Sequence, residues 1–253
     1  MYAFIAFSEM FERAAWDWDN FDSDGGGDDG TGGPPVKAIL FLDFDRTFTK
    51  VDVSEVLGQA PSGFDDYIAN DDIKEMLRHY NDLSNPTIRR LFDGLFPEQH
   101  RRNLVEFWRE LHALGADLEV QMLSHDFEAV IELAFRLLKL EPLPAKIIGR
   151  HHLARLHNDK HARKEKYVRR EVAARRPEFV MFVDDQPHQR DAVGSVLKMI
   201  QAEHDEVGEP FAFVVCCDEM TDGMSKADMD SFVRELRDAL PDKHTRAAER
   251  KRE

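Results

Sequence analysis

Uninterrupted apolar runs alternate with amphipathic segments along most of this chain, which predicts strands and helices in alternation. The first run, residues 38–42, is wholly apolar and is preceded by Gly32-Gly33-Pro34-Pro35. Such a run is typical of a strand in a parallel sheet, where helices cover both faces. Further strands are predicted at residues 117–123, 145–148, 180–183 and 211–217.

Apolar residues at helical spacing predict helices between these strands. The clearest case is residues 101–114, where Leu104, Trp108 and Leu111 share one face and Gly115 closes the helix. Other helices are predicted over residues 64–80, 86–96, 127–140, 188–200 and 225–240. The alternation indicates an α/β fold, with a Rossmann-like parallel sheet of about five strands and helices on both faces. Residues 52–99 interrupt the alternation after the first strand.

The two ends of the chain differ from the predicted core, which comprises residues 36–51 and 100–240. Residues 1–35 combine spaced aromatic side chains with an Asp/Gly run over 22–33 that we expect to be disordered. The aromatic part is either a short helix docked on the domain or a motif, within residues 1–20, for a protein partner. Residues 241–253 form a charged tail.

Composition narrows the class of protein. The formal net charge of −15 argues against nucleic acid or an anionic membrane as a partner. No apolar run is long enough to predict a membrane span, and the N-terminus lacks the basic region of a signal peptide. The two cysteines, Cys216 and Cys217, are adjacent, which excludes a disulfide framework. We therefore expect an intracellular protein, in the cytoplasm.

Acidic residues follow two of the predicted strands. Asp43 and Asp45 come directly after the first strand, so both carboxylates can converge where open α/β sheets bind ligands. Asp184 and Asp185 follow residues 180–183 in the same way. Like charges so close require a cation, a shared proton or open solvent, and Mg²⁺ is the usual cation. Taken alone, the first pair could also be a solvated turn with an Asp cap.

Two further groups of residues are candidates for phosphate chemistry. Ser124 follows the second strand, where a hydroxyl is either a helix N-cap or a phosphate ligand. Three lysines, Lys160, Lys164 and Lys166, lie in the basic segment 151–176, where the alternative is a solvated helix face.

In this order, these motifs resemble the four motifs of the haloacid dehalogenase superfamily over about residues 36–240. The corresponding residues are Asp43-Phe44-Asp45-Arg46-Thr47, Ser124, a lysine near residue 164, and Asp184-Asp185. The resemblance implies a magnesium-dependent phosphatase. In this superfamily the second acid of the first motif marks phosphatases and phosphotransferases rather than dehalogenases.

The resemblance also implies a role for each residue. Asp43 would be the nucleophile that forms an aspartyl-phosphate, and Asp45 the general acid and base. Phosphate would be held by Arg46, Thr47, Ser124 and His125. Lys164, with Lys160 as second choice, would offset negative charge. Mg²⁺ would be bound by Asp43, the Asp45 carbonyl and the pair Asp184 and Asp185.

Two departures from the family pattern concern the site itself. Arg46 stands where many members have glycine, which puts a cation at the mouth of the site. Gln189 and Asp191 follow the acid pair at unusual spacings, which leaves the metal ligands open. Two alternatives to a phosphatase remain. One is a protein without catalytic activity that uses the same fold to bind phosphate or a partner. The other is an enzyme of a related kind, a phosphotransferase or phosphomutase.

The size of the insertion bears on the substrate. In this superfamily an insertion between the first two motifs forms a cap, and residues 52–99 would make a small helical one. A small cap leaves the site open, which favours a bulky phosphomonoester such as a phosphoprotein. The competing expectation is a closed cap over a small sugar or nucleotide phosphate.

Overall fold

The computed structural model describes residues 37–51, 86–156, 163–216 and 223–240. Their five strands are β1 (Ala38–Leu42), β2 (Leu118–Leu123), β3 (Lys146–Ile148), β4 (Phe179–Val183) and β5 (Ala212–Cys216). Their helices are α1 (Pro86–Leu95), α2 (Glu98–Ala113), α3 (Glu128–Leu138), α4 (Arg150–Leu156), α5 (Arg163–Arg175), α6 (Pro187–Val207) and α7 (Lys226–Ala239). Among these helices, none combines the length and apolar character needed to cross a membrane.

All five strands are parallel and lie in the order β3-β2-β1-β4-β5. Strand β1 is central, with Leu42 paired to Met122 on one side and to Val183 on the other. All five β1 side chains are buried, because helices cover both faces. The predicted α/β fold with a five-stranded parallel sheet is confirmed.

Several boundaries differ from the prediction. Helix α6 continues beyond residue 200 to Val207 and ends at Gly208, whose φ of +72° is the left-handed conformation that glycine adopts readily. Residues 201–207, at the end of this helix, are mostly polar and mostly exposed, so the apolar pattern ends before the helix does. The basic segment 151–176 contains most of α4 and all of α5.

Some predictions concern residues outside the described ranges. They are the whole 1–35 segment, the helix over 64–80, residues 52–85 of the proposed cap, Lys160, Cys217 and the tail 241–253. The division into core and cap therefore stays a prediction.

The two sheet faces bury separate apolar clusters. On β1, Leu40 and Leu42 pack into the cluster that includes helices α2, α3 and α7. Ile39 and Phe41 pack into the other, with residues of α5 and α6. Because strand side chains alternate, the extended residue Asp43 follows Ile39 and Phe41 towards the α5 and α6 side.

Immediately after Asp43 the chain makes one turn of π-helix, Phe44–Phe48, interrupted by non-helical dihedral angles at Asp45 and Arg46. The Phe48 ring stacks on Phe135 with centroids 5.1 Å apart and contacts the Trp108 ring edge-on. These aromatic contacts anchor the turn to helices α2 and α3, so the segment following Asp43 is fixed by packing.

His100 on α2 also fixes this turn, because its Nε2 donates to the Phe48 carbonyl oxygen at 2.8 Å. Burial lowers the pKa of His100 to about 4, since the charged imidazolium would be poorly solvated. The unfolded chain then binds the proton more tightly than the folded protein, so this residue reduces stability as pH falls from about 6.5 towards 4.

We therefore expect His100→Gln, which keeps a donor at that position, to reduce the acid sensitivity of folding. Between pH 7.5 and 4.5, we expect the wild-type free energy of unfolding to fall by about 2 kcal/mol more than that of the variant. Urea titrations at the two pH values measure this difference. Equal losses would show that His100 is not the group that titrates.

Candidate active site

The loops after β1, β2 and β4 meet at the carboxyl-terminal edge of the sheet. The Asp43 amide donates to the Val183 carbonyl at 2.9 Å, which extends the β1–β4 ladder by one residue. The Ser124 amide donates to the Ile148 carbonyl at 3.0 Å, which extends the β2–β3 ladder likewise. Asp43 and Ser124, the first residues after β1 and β2, are therefore held by the hydrogen-bond ladder of the sheet.

Lys164 reaches this edge from helix α5. Its Nζ lies 2.8 Å from Asp43 Oδ1 and 2.7 Å from Asp184 Oδ2, and its side chain is only 1% exposed. Lys166 is exposed, whereas Lys160 lies outside the described residues. Among the described lysines, Lys164 is thus the one placed between the two acidic motifs.

Three carboxylates surround one point. An oxygen of Asp43, one of Asp184 and one of Asp185 all lie within 4.8 Å of one another. We call these three residues the carboxylate cluster. Asp184 is fully buried, accepts from the Gln186 amide at 2.8 Å and contacts the Lys164 ammonium. Asp185 is half-buried.

Negative charge exceeds positive charge in this cluster. Burial raises the pKa of Asp43 to about 7, Lys164 opposes the shift, and Asp184 adds to it. Burial, reinforced by Asp184, raises the pKa of Asp185 to about 6. For Lys164, burial alone would lower the pKa, but the carboxylates of Asp184 and Asp43 hold it above its ordinary range. The lysine therefore stays charged but does not neutralise the site.

This imbalance fits a divalent cation. Oxygen donors at this spacing are the ligands that Mg²⁺ takes, and a further positive charge would favour the ionised form of Asp43 and Asp185, which burial and the Asp184 charge disfavour. Among the described residues, the carboxylate cluster is the one group of three or more His, Cys, Asp or Glu side chains that could hold a metal ion.

The turn after Asp43 contributes Thr47, Arg46 and Asp45. The buried Thr47 hydroxyl accepts from the Asp185 amide at 3.1 Å, which places it beside the carboxylate cluster. The Arg46 charge lowers the pKa of Asp185, although burial outweighs it. Asp45 is half-buried in the same turn, and its carboxylate is not a member of the cluster.

Ser124 and His125 lie on the neighbouring loop after β2. The buried Ser124 hydroxyl accepts from the Asp126 amide at 3.2 Å, while Phe127 occupies the N-cap position of α3. Ser124 is therefore not the helix cap that the alternative interpretation required. The His125 carbonyl accepts from Arg150 Nε at 2.9 Å. The phosphate-binding roles of both residues stay predictions.

Two contacts at this site were not expected from the sequence. The Met224 amide donates to the Thr47 carbonyl at 2.9 Å. The preceding Gly223 has a φ of +70°, and a Cβ there would lie 2.2 Å from the Thr49 carbonyl oxygen. The sequence feature that could have indicated this close approach is Gly223, a glycine just before the helix predicted over residues 225–240. The segment before α7 therefore packs against the turn that carries Asp45.

The unusual residues after the acid pair have different environments. Gln189 is 1% exposed, its amide nitrogen donates to His188 Nε2 at 3.2 Å, and its amide oxygen accepts no hydrogen bond from the described residues. Asp191 has a 74% exposed side chain paired with Arg190. Gln189 is thus buried in the protein interior, whereas the Asp191 side chain is exposed to solvent.

Known proteins resemble this chain in structure rather than in sequence. No protein-family profile matches it, and no curated protein matches it significantly. The HAD domain of effector protein Lem4 from Legionella pneumophila matches with a TM-score of 0.54 and 16% identity, over 81% of this chain and 96% of that domain. An inactive mutant of that domain gives the same TM-score and identity over 95% of its length.

A HAD-superfamily hydrolase of subfamily IA from Geobacter sulfurreducens matches over 66% of this chain and 86% of its own, with 14% identity and a TM-score of 0.28. That score is too low to support a structural argument. The Lem4 likeness, at 16% identity, concerns the fold.

Proposed function

We propose that this chain, which has the haloacid dehalogenase fold, is a magnesium-dependent phosphomonoester phosphatase that works through an aspartyl-phosphate on Asp43. The observation that carries the proposal is the carboxylate cluster, with the Lys164 ammonium between Asp43 and Asp184. A carboxylate that is buried, oriented by an ammonium and placed at a ligand-binding edge is suited to covalent catalysis.

Mg²⁺ would be held by Asp43, Asp185 and the Asp45 backbone carbonyl, with Asp184 in support. When bound, the cation would neutralise charge on the phosphoryl oxygens and keep Asp43 ionised. The remaining steps use this chain's own side chains.

In the first half-reaction, an Asp43 carboxylate oxygen attacks phosphorus. The new O–P bond forms as the bond to the leaving alcohol oxygen breaks, and Asp45 donates its proton to that oxygen. In the second half-reaction, Asp45 takes a proton from water as the water oxygen attacks phosphorus. The bond between phosphorus and Asp43 then breaks, which releases inorganic phosphate and restores both aspartates.

The other residues hold the phosphoryl group. Lys164 offsets negative charge between Asp43 and the phosphoryl oxygens, which matters most where charge builds up in the transition state. Thr47 and Ser124 donate hydroxyl hydrogen bonds to those oxygens, and Arg46 and His125 add contacts at the mouth of the site. Thr47 is suited to this role because its hydroxyl already lies beside Asp185.

A cation requirement tests this proposal. Hydrolysis of a generic aryl phosphate is expected to need Mg²⁺ and to collapse in chelator, with Ca²⁺ a poor substitute because it prefers more ligands and longer bonds. Full activity in chelator would contradict the mechanism. Saturable phosphate binding without hydrolysis of any ester would instead support the alternative of a protein without catalytic activity.

The same cation should stabilise the fold in a pH-dependent way. Burial, reinforced by Asp184, raises the pKa of Asp43 to about 7 and that of Asp185 to about 6 in the folded protein, so ionising them costs stability as pH rises from 3.8 to about 7, and this cost is fully present above that pH. We expect Mg²⁺ to raise Tm more at pH 8 than at pH 5, where protons compete for the same carboxylates. The carboxylate variant Asp185→Asn should lose most of this shift, and the exposed-acid control Asp191→Asn should keep it.

For the substrate, we propose a bulky phosphomonoester such as a phosphoprotein, and no nucleic acid. The support is the small size of residues 52–99, Arg46 beside Asp185, and exposed basic side chains on α4 and α5, among them Arg155, Arg169 and Arg170. Positive charge of this kind attracts a phosphorylated segment to an otherwise acidic protein.

Comparing kcat/KM for phosphopeptides and small phosphate esters tests the substrate class. We expect the phosphopeptides to be the better substrates. A preference of about a hundredfold or more for a small ester, worth about 2.7 kcal/mol of transition-state binding, would reverse the assignment. The charge-reducing variant Arg170→Gln should lower kcat/KM for phosphopeptides more than for a small ester.

A further inference from the structure

Six polar side chains form a connected hydrogen-bonded group between the sheet and helix α5, and the proposed mechanism uses none of them. We call this group the Gln121 network; its members are Glu119, Gln121, Lys146, Tyr167, Glu171 and Arg175. Gln121 is at its centre and is fully buried. It accepts from the Tyr167 hydroxyl at 2.9 Å and donates to Glu119 at 2.7 Å and Glu171 at 3.3 Å.

The charges at the edge of the network are paired. Lys146 Nζ lies 2.5 Å from Glu171 Oε2, and Arg175 donates to Glu119. Burial, reinforced by Glu171, raises the pKa of Tyr167, so its hydroxyl remains a donor. A buried polar group with its partners in place gives a unique arrangement, because each bond has a preferred direction.

The network joins one helix to two strands. Phe41, Gln121 and Lys146 are register partners across β1, β2 and β3, so they form one row on the face that α5 covers. Tyr167, Glu171 and Arg175 are four residues apart and face that row along the helix. Apolar packing alone is non-directional, whereas these bonds fix where α5 lies along the sheet.

Lys164 is one turn before Tyr167 on the same buried side of α5. The Tyr167 ring meets the Phe41 ring edge-to-face with centroids 6.3 Å apart, and Phe41 is two residues before Asp43. The two members of the Lys164–Asp43 contact therefore belong to elements that Tyr167 also connects. A slide of α5 by 1 Å along the line of the 2.8 Å Lys164–Asp43 contact would stretch it beyond hydrogen-bonding distance unless the lysine side chain rearranged.

We propose that the Gln121 network positions Lys164 between Asp43 and Asp184, with the Tyr167–Gln121 hydrogen bond as its main link. The inference rests on the proposed function of that site and names positioning residues for it. Misplacing a catalytic group by about 1 Å can cost up to about 10²-fold in rate. Losing one hydrogen bond of the network is expected to displace Lys164 by less and so to lower kcat about tenfold.

The variant that tests this is Tyr167→Phe, which removes the hydroxyl and keeps the ring on Phe41. Its matched control is Val172→Ala, which removes buried apolar packing from the same helix and leaves the network's bonds intact. With an aryl phosphate and Mg²⁺, we expect Tyr167→Phe to lower kcat about tenfold with KM nearly unchanged. Val172→Ala should lower Tm but keep kcat within about twofold.

A second measurement does not depend on activity. Lys164 is buried and bonded to two carboxylates, so its acylation by a water-soluble amine reagent should be slow in the native protein. Residue-resolved mass spectrometry is expected to show faster acylation of Lys164 in Tyr167→Phe and in Glu171→Gln than in Val172→Ala. If the wild type hydrolyses no ester but this difference appears, the positioning role stands and the proposed function fails.

A double variant completes the test. In the Lys164→Ala background, Tyr167→Phe should change kcat by less than about twofold, because the hydroxyl acts through the missing lysine. Multiplicative effects would overturn the proposal. So would an unchanged Lys164 acylation rate in Tyr167→Phe, whatever its kcat.

Discussion

Asp43→Asn is expected to lower kcat by more than about 10³-fold, at least about 4 kcal/mol of barrier, because the amide cannot attack phosphorus as the carboxylate does. The fold should survive, since Asn removes a buried charge that burial already disfavours. Steady-state hydrolysis of an aryl phosphate measures the loss. Substantial turnover in this variant would exclude covalent catalysis at Asp43.

The Asp45→Asn variant distinguishes the role of Asp45 from that of Asp43. This variant keeps the nucleophile, so a substrate with a good leaving group should still phosphorylate Asp43 and then stall before hydrolysis. Asp191→Asn is the matched control, because it removes an exposed acid close to the fourth motif. It should retain kcat within about twofold of the wild type.

Lys164→Ala should lower kcat by about 10² to 10³-fold, the range found when one preorganised charge stabiliser is removed. The lysine bonds Asp43 and Asp184 at once, so its loss also leaves two buried carboxylates without their shared cation. We therefore expect a lower Tm in chelator and partial recovery with Mg²⁺.

Lys166→Ala is the control for Lys164→Ala. Lys166 is on the same helix two residues later and is exposed, so kcat should change by less than about twofold. Equal and small effects of the two substitutions would contradict the assignment and move the role to Lys160.

Most of the sheet could be predicted because its strands are short apolar runs with clear boundaries. The runs at β1 and β4 are buried on both faces, so their pattern is continuous and needs no knowledge of neighbouring elements. The acid pairs were visible for the same reason, since each follows directly where the apolar run stops.

The extent of α6 and the Gln121 network could not be predicted. The last two turns of α6 are mostly polar and lack apolar spacing, although the helix continues to Val207. Glu119 and Gln121 alternate with apolar residues along β2, a pattern typical of a half-solvated strand. They are buried because α5 supplies matching polar partners, and pairing between distant segments is not encoded in local spacing.

Choosing between Lys164 and Lys166 required knowing which side of helix α5 is buried. Residues two apart on a helix point in nearly opposite directions, so only one of Lys164 and Lys166 can face the sheet. Lys164 is on the buried side of the helix with Tyr167, Val168 and Val172, so Lys164 is the one of the two that faces the sheet. Its catalytic role stays a prediction until the substitutions are made.

The central claim is that Asp43 carries the phosphoryl group. The direct measurement is acid quenching of Asp45→Asn during reaction with an aryl phosphate and Mg²⁺, followed by peptide mass spectrometry. We predict the added mass of one phosphoryl group on Asp43, labile to base and absent in chelator. Hydrolysis by the wild type with no phosphorylated Asp43 in the quenched variant, or with the group on another residue, would contradict the account.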